Sequence, residues 1–290
     1  MEVAGRAPGK DLAPFVRSLW FVRGAPVRRY ERILPQAVAH LIVNLSDPYR
    51  LLTRGGSAVG QPFSGAFLSG LQREYLVIEN PDTLWQCGAE LTPAGVAAFT
   101  TTPLRALTDT VQDAGPILPW SHEWRGRMQA TGTADDALEV LQQLLRSVRR
   151  PEFEIDARVE RVVSRLDGDP DIPIAALAAE LELSSGGLAA LVRRGIGTTP
   201  KAYADLARFV GFLRRIPFDD VPRWGDLVAA SGYYDQAHFI RSFKRYAGVT
   251  PSQYLDGIRE FGAEYPSFLP VESFRLASAI SDNRAGIGSR

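Results

Sequence analysis

SGYYDQAHFIRSFKRYAGVTPSQY, residues 231–254, is the stretch on which the fold of this chain turns. Gly232 can take the left-handed backbone of a tight turn, and Asp235 can cap a helix that begins just after it. Phe239 and Phe243 stand four residues apart, so both fall on the inner face of that helix. Gln236, His238, Arg241, Lys244 and Arg245 are left facing outward or toward its flanks. A glutamine can pair with the adenine edge and an arginine with the guanine edge in a major groove, while basic groups further along suit phosphates. For His238, packing against the protein is an equal reading.

The stretch has an earlier counterpart. RRGIGTTPKAY (193–203) aligns with KRYAGVTPSQY (244–254) at an offset of 51 residues, matching Gly197 with Gly248, Thr199 with Thr250, Pro200 with Pro251 and Tyr203 with Tyr254. A repeat of this length is one supersecondary unit used twice. Each copy is preceded by a small-residue helix, IAALAAELEL (174–183) or WGDLVAASGYY (224–234), then a polar break and a second helix starting at Ser184 or Asp235. Helix, tight turn, helix is an arrangement that fits a major groove. A connecting helix is expected from Pro200 to Ile216, capped by Thr199 and stopped by Pro217. Its 17 residues would span about 25 Å, which suits two reading heads about 34 Å apart.

Charge follows the same division. The whole chain has 33 basic and 33 acidic side chains, yet residues 184–259 carry 11 against 6 and residues 152–183 carry 3 against 9. A local excess of arginine is what a phosphate-binding surface requires, although a solvated helical face would look alike. The first copy differs from the second at the positions that would meet bases: SSGGLAALVRRGIG (184–197) offers Gly186, Gly187, Ala189 and Ala190 there. Glu182 occupies the turn position where glycine is usual. This unit is expected to touch phosphate through Ser184, Ser185, Arg193 and Arg194.

The first part of the chain reads differently. HLIVNLSD (40–47) and EYLVIENPD (74–82) are β-branched runs ending in turn residues, and up to about residue 90 short strands alternate with turns. LTPAGVAAF (91–99) predicts a helix with Thr92 as cap and Pro93 first, and Pro103 is placed to start another. ADDALEVLQQLLRSV (134–148) has apolar residues at helical spacing, with acids at its start and arginines after its end. The fold class expected is therefore α+β: residues 1–150 form a small β-barrel with helices, residues 151–260 an all-α domain of two helix-turn-helix units, and residues 261–290 a tail. Phe63, Tyr75, Trp85, Trp120 and Trp124 are candidates for lining an apolar ligand pocket, although such aromatic density equally describes a core.

Gly232 to Tyr254 follows, at nearly every position, the pattern G-[FY]-x-[DS]-Q-[SA]-[HY]-F-x-R-x-F-[KR]-x-x-x-G-x-[TS]-P-x-x-[YF], and in this it resembles the AraC/XylS family of transcription regulators. The resemblance spans about residues 156–259 and implies two three-helix units joined by one long helix. LPQAVAHLIVNLSDP, GAFLSGLQ and AELTPAGVAAF (34–48, 65–72, 89–99) are similar to the cupin-like amino-terminal domain of one group of these regulators. The resemblance implies double-stranded DNA as the partner, control by a small-molecule effector, contact with RNA polymerase, a homodimer formed through the first domain, and no cofactor. Activation and repression both stay open.

Other classes find little support. The chain has no G-x-S-x-G, H-E-x-x-H or GxxxxGK[ST] motif, so no enzyme is expected. A metal cupin needs clustered histidines, whereas the first domain has only His40 and His122, both read as structural. The single cysteine, Cys87, reads as a small buried apolar residue in a reducing compartment. No apolar run is long enough to span a membrane and the first residues lack a signal-like apolar region, so a cytoplasmic protein is expected. The alternative reading is an adaptor that keeps the fold with weak or non-specific DNA binding, to which Gly186 and Gly187 point.

Overall fold

A computed structural model describes residues 1–52, 61–118, 121–216, 232–233, 235–261 and 267–270. The first half is two antiparallel sheets, and the α+β expectation holds. One sheet is built from β1 (Glu2–Arg6), β2 (Val16–Gly24), β4 (Ala39–Asn44), β7 (Ala66–Ser69), β9 (Leu84–Leu91) and β10 (Val111–Asp113), in the order β1-β2-β9-β4-β7-β10. The other contains β3 (Tyr30–Ile33), β5 (Tyr49–Leu52), β6 (Gln61–Phe63), β8 (Leu76–Glu79) and, from the far end of the chain, β11 (Phe268–Pro270), in the order β11-β3-β8-β5-β6. Period-two alternation sets which face of each strand is covered. In β2, Val16, Leu19 and Phe21 join Leu41, Val43, Cys87 and Ala89 in a core beneath the helices, while Trp20 lies on the opposite face.

Two helices seal that core. α1 (Trp124–Gln129) and α2 (Ala134–Val148) cover it with Trp124, Met128, Leu138, Leu141 and Leu145. α2 has the expected bounds because Thr133 accepts a hydrogen bond from the Asp136 backbone N–H at one end. LTPAGVAAF departs from expectation. It forms only a 3-10 turn, Gly95–Ala98, because the Thr92 hydroxyl donates to the Pro14 carbonyl and the Gly95 N–H is taken by Thr92 O. The segment after Pro103 is likewise a single 3-10 turn, Leu104–Ala106.

The helical half starts with α3 (Ala157–Gly168), capped by Asp156, followed by α4 (Ile174–Glu180) and α5 (Ser185–Ile196). α4 stops three residues short of the stretch expected. Leu181 leaves the helical conformation and Glu182 takes φ 55°, doing with a side chain what glycine does at no steric cost. Ser184 accepts from the Gly187 N–H and so caps α5 from outside. The connecting helix α6 (Pro200–Leu213) is shorter than expected at 14 residues, about 21 Å, because beyond Arg214 the hydrogen bonds tighten to three-residue turns, Arg215 N–H to the Phe212 carbonyl and Ile216 N–H to the Leu213 carbonyl; Thr199 is its cap as expected, and Pro217 lies outside the described residues. α7 (Gln236–Ala247) and α8 (Pro251–Phe261) follow, and the helix expected over 224–234 falls, apart from residues 232 and 233, outside the described residues.

A buried arginine holds the two units in register. Arg208 of α6 is 9% exposed and donates to Asp171 Oδ1 at 2.6 Å, Asp205 Oδ1 at 2.8 Å and the Pro170 carbonyl at 3.0 Å. Asp171 in turn lies against Gly232 at the turn before α7, where a Cβ would collide with its carboxylate. Phe212 and Phe209 of α6 pack on Phe239, Phe243 and Tyr246 of α7.

Glycines 186 and 195 of α5 give opposite expectations. A Cβ at Gly195 would lie 2.6 Å from Val159 Cγ2, whereas at Gly186 the nearest atom is Ser184 Oγ at 3.9 Å. Gly195→Ala should therefore destabilise by about 1 to 3 kcal/mol and Gly186→Ala stabilise by about 0.5 to 1 kcal/mol. Glu182→Gly should also raise stability, by about 1 kcal/mol, by relieving the left-handed backbone. Urea-unfolding midpoints of the three variants check all three signs.

Candidate nucleic-acid interface and ligand cavity

α7 is the best-formed candidate reading element. The Asp235 carboxylate accepts from the His238 N–H at 2.6 Å, fixing the first turn, and Gly248 ends the helix at φ 70°. Phe239, Phe243, Tyr246 and Ala247 are buried on one side, and Gln236, His238, Ile240, Arg241, Lys244 and Arg245 are exposed on the other. Gln236, Arg241 and Lys244 make no side-chain hydrogen bond or ion pair with any described residue. Arg245 is drawn back along the helix, donating to the Tyr246 hydroxyl at 2.6 Å with its guanidinium over that ring. The His238 ring sits edge-on to Tyr233 at 5.6 Å while remaining exposed.

α5 has the same frame with a barer outer face. Ser184, Ser185, Gly186, Ala190, Arg193 and Arg194 are exposed, and Leu188, Leu191 and Val192 are buried. Neither Arg193 nor Arg194 has an ion-pair partner among the described residues. The Ser184 hydroxyl is occupied by capping, through the Gly187 N–H at 3.0 Å.

Both reading helices end on a left-handed glycine, and both glycines press on the first domain. At Gly197, φ 79°, a Cβ would stand 2.6 Å from the Leu104 carbonyl oxygen and 2.6 Å from Thr108 Oγ1, and the Thr108 hydroxyl donates to the Gly197 carbonyl at 3.0 Å. At Gly248 a Cβ would stand 2.5 Å from the Tyr75 ring. The repeated glycine thus meets two needs at once, a positive φ and a close approach that any Cβ would block.

The first domain contains a cavity of about 370 Å³ between its sheets. Trp20, Ile33, Ile42, Tyr49, Phe67 and Ile78 supply apolar wall. The Trp20 ring lies over β9 where Gly88 stands opposite it, and a Cβ there would run into the indole. Polar groups converge among these: Glu31, His40, Gln72, Gln86 and Glu90. His40 and Glu90 are direct cross-strand partners. Burial pushes the His40 imidazole below its ordinary range, Glu90 working against that shift and Arg17 with it. Gln86 is 6% exposed, and its Nε2 donates to no described residue. Met1, Val3, Val27 and Phe268, four of the five large apolar side chains that the described residues leave exposed, also line it.

The aromatic residues singled out from sequence stand elsewhere. Phe63 is fully buried behind the wall, its ring 4.8 Å from Phe67. Trp124 is in the core beneath the helices, Trp85 lies under the Arg23 guanidinium, and Tyr75 stands between the two domains. None of these four lines the cavity, and Trp120 lies outside the described residues. Trp20 was the residue to find, and the signal was the alternation of VRSLWFVRG (16–24), which sets Trp20 on the face opposite Leu19 and Phe21. His122 is exposed beside Glu123, not packed. Cys87 is fully buried, and burial pushes its thiol up to about 12. No group of three or more metal-ligating side chains occurs among the described residues, and no single helix there is long and apolar enough to cross a membrane.

Comparison with known proteins separates the two halves. Residues 5–113 match a family described as a domain of unknown function (DUF6597), and residues 177–257 match a helix-turn-helix domain. No curated protein sequence matches the chain. Solved structures similar to it include ToxT from Vibrio cholerae, at 11% identity over 83% of this chain and 98% of that one with a TM-score of 0.49. ToxT from Vibrio cholerae O395 bound to (E)-4-(8-methylnaphthalen-1-yl)but-3-enoic acid is similar at 13% identity over 82% and 98%, with a TM-score of 0.48. The C-terminal domain of AraT, a response regulator from Geobacillus stearothermophilus, is similar at 20% identity over 39% and 93%, with a TM-score of 0.34. Residues 177–257, which take in most of both repeated units and the Gly232 to Tyr254 signature, thus form a helix-turn-helix domain of the AraC type.

Proposed function

We propose that the chain is a sequence-specific DNA-binding transcription regulator that reads bases mainly with α7, anchors on phosphate with α5, and takes an apolar effector in the first domain. The observation that carries this reading is the outer face of α7. Gln236, Arg241 and Lys244 are exposed there, unengaged by described neighbours, on a helix locked from behind by Phe239, Phe243 and Tyr246. Gln236, donating and accepting through its amide, and Arg241, donating twice, can pair bidentately with base edges, and Lys244 and Arg245 suit phosphates, Arg245 after leaving Tyr246. His238 flanks this face. On α5, Ser185, Arg193 and Arg194 reach phosphate, with Ser184 offering a helix N-terminus, while Gly186, Gly187, Ala189 and Ala190 bring no donor to a base edge. A cavity of about 370 Å³ falls in the range of small-molecule sites, and the buried Gln86 amide supports an effector with a hydrogen-bond acceptor. An adaptor with weak or non-specific DNA binding is the second reading, favoured by the bare face of α5.

Selection from random DNA with the full chain should return, per protomer, one strongly specified block of about 3 to 5 base pairs and a second, weak block about one helical turn away. Two equally specified blocks would mean that α5 reads bases too, and salt-insensitive or absent binding would favour the adaptor.

Arg241→Ala should cost about 1 to 3 kcal/mol of specific binding and relax one base position. Arg194→Ala should weaken binding to all sequences alike and flatten the salt slope by about one unit. Titrations of selected and scrambled duplexes at several salt concentrations separate the two outcomes.

A further inference from the structure

Residues 267–270, beyond α8, pack against the first domain. Six residues of sequence beyond α8, β11 pairs with β3 as the closing strand of the second sheet, Phe268 opposite Ile33 and Leu269 opposite Arg32. The Leu34 N–H donates to the Ser267 carbonyl at 2.8 Å, and the Gln36 amide donates to the Ser267 hydroxyl at 3.0 Å. Alternation then divides the two strands between two environments. Ile33, Glu31 and Phe268 line the cavity. Leu269 is fully buried in the same apolar cluster as Tyr254, Leu255 and Ile258 of α8. Arg32, its cross-strand partner, is 1% exposed and stacks its guanidinium on Tyr75 at 4.7 Å, and Tyr75 is the residue that meets Gly248 at the end of α7.

We propose that the carboxy-terminal segment completes the ligand site. Phe268 is a wall of the cavity, and through Leu269 and α8 the same strand is part of the second reading unit. The ligand class is an apolar small molecule with a hydrogen-bond acceptor, because the buried Gln86 donor stands in a largely apolar lining whose charged groups, Arg28 against Glu31 and Glu90, carry both signs. This rests on the reading of the cavity as an effector site. A ligand that seats better against one placement of β11 than another shifts the placement of α8, and DNA held by α7 must shift ligand affinity by the same factor.

The test uses the full chain and the neutral apolar dye N-phenyl-1-naphthylamine, titrated by fluorescence with and without a saturating duplex from the random-sequence selection. Dye affinity should change at least about threefold on adding duplex. Phe268→Ala, at a position 40% exposed and outside the helical core, should weaken dye binding about tenfold and shrink the duplex effect toward none. Hydrogen exchange at the Leu34 amide, which reports β11 docking directly, should slow on adding dye in the unmodified chain. Dye binding that is equal in the Phe268→Ala variant, or that leaves both duplex affinity and Leu34 exchange unchanged, overturns the proposal while leaving the cavity reading intact. No dye binding to the unmodified chain overturns the cavity reading and this proposal with it.

Discussion

The geometry of both reading helices depends on two glycines, Gly197 and Gly248, that let the backbone turn left-handed where no side chain could fit. Each closes its helix by giving its N–H to the carbonyl four residues back, and each is pressed against the first domain. The first domain therefore touches each reading helix at its carboxy-terminal end, leaving the amino-terminal turns exposed. Those are the turns that carry Ser184 and Ser185 in one unit and Gln236 in the other. Within the helical half, Arg208 of the connecting helix holds Asp171 of the first unit, and Asp171 lies against Gly232 at the turn before α7. A buried cation held by two carboxylates and a carbonyl is costly to rearrange, since any shift that loses one acceptor leaves charge uncompensated in a low-dielectric interior. The Arg208 bridge and the contacts at the helix ends are separate constraints on how the two helices are placed.

How far sequence revealed this can be judged element by element. α5, α7 and their caps were legible, because a capping side chain, an amphipathic face and a terminal glycine are local signals. Glu182 was legible as an anomaly, and its φ of 55° puts it in the left-handed region where glycine is usual. α6 was overestimated because apolar residues continue through Ile216 although the helical hydrogen bonding ends earlier. The 3-10 turn at Gly95 was misread because its would-be capping threonine is claimed by Pro14, a partner 78 residues away. The cavity was the least legible part. Which side chains line it follows from pairing across strands distant in sequence, as with Trp20 over Gly88 and His40 beside Glu90, and aromatic content alone pointed to residues that pack elsewhere.

The two halves also differ in how polar groups are handled. The helical half uses its charged pairs at the surface or around Arg208, each of whose guanidinium nitrogens donates to an oxygen. The first domain instead gathers His40, Gln86 and Glu90 among the apolar side chains of the cavity, and burial holds His40 toward its neutral form. Polar groups placed singly among apolar neighbours orient a guest without making the pocket hydrophilic.

The placement of β11 fixes an order of events during synthesis. A chain emerging from its amino terminus can form β1 to β10 and then the helices, but β3 remains an unpaired edge until residue 268 has been made. The first domain to be synthesised is thus among the last to be finished. A nascent chain cannot present a complete cavity before its DNA-reading helices exist, so the site that would sense a ligand and the surface that would act on it come into being together.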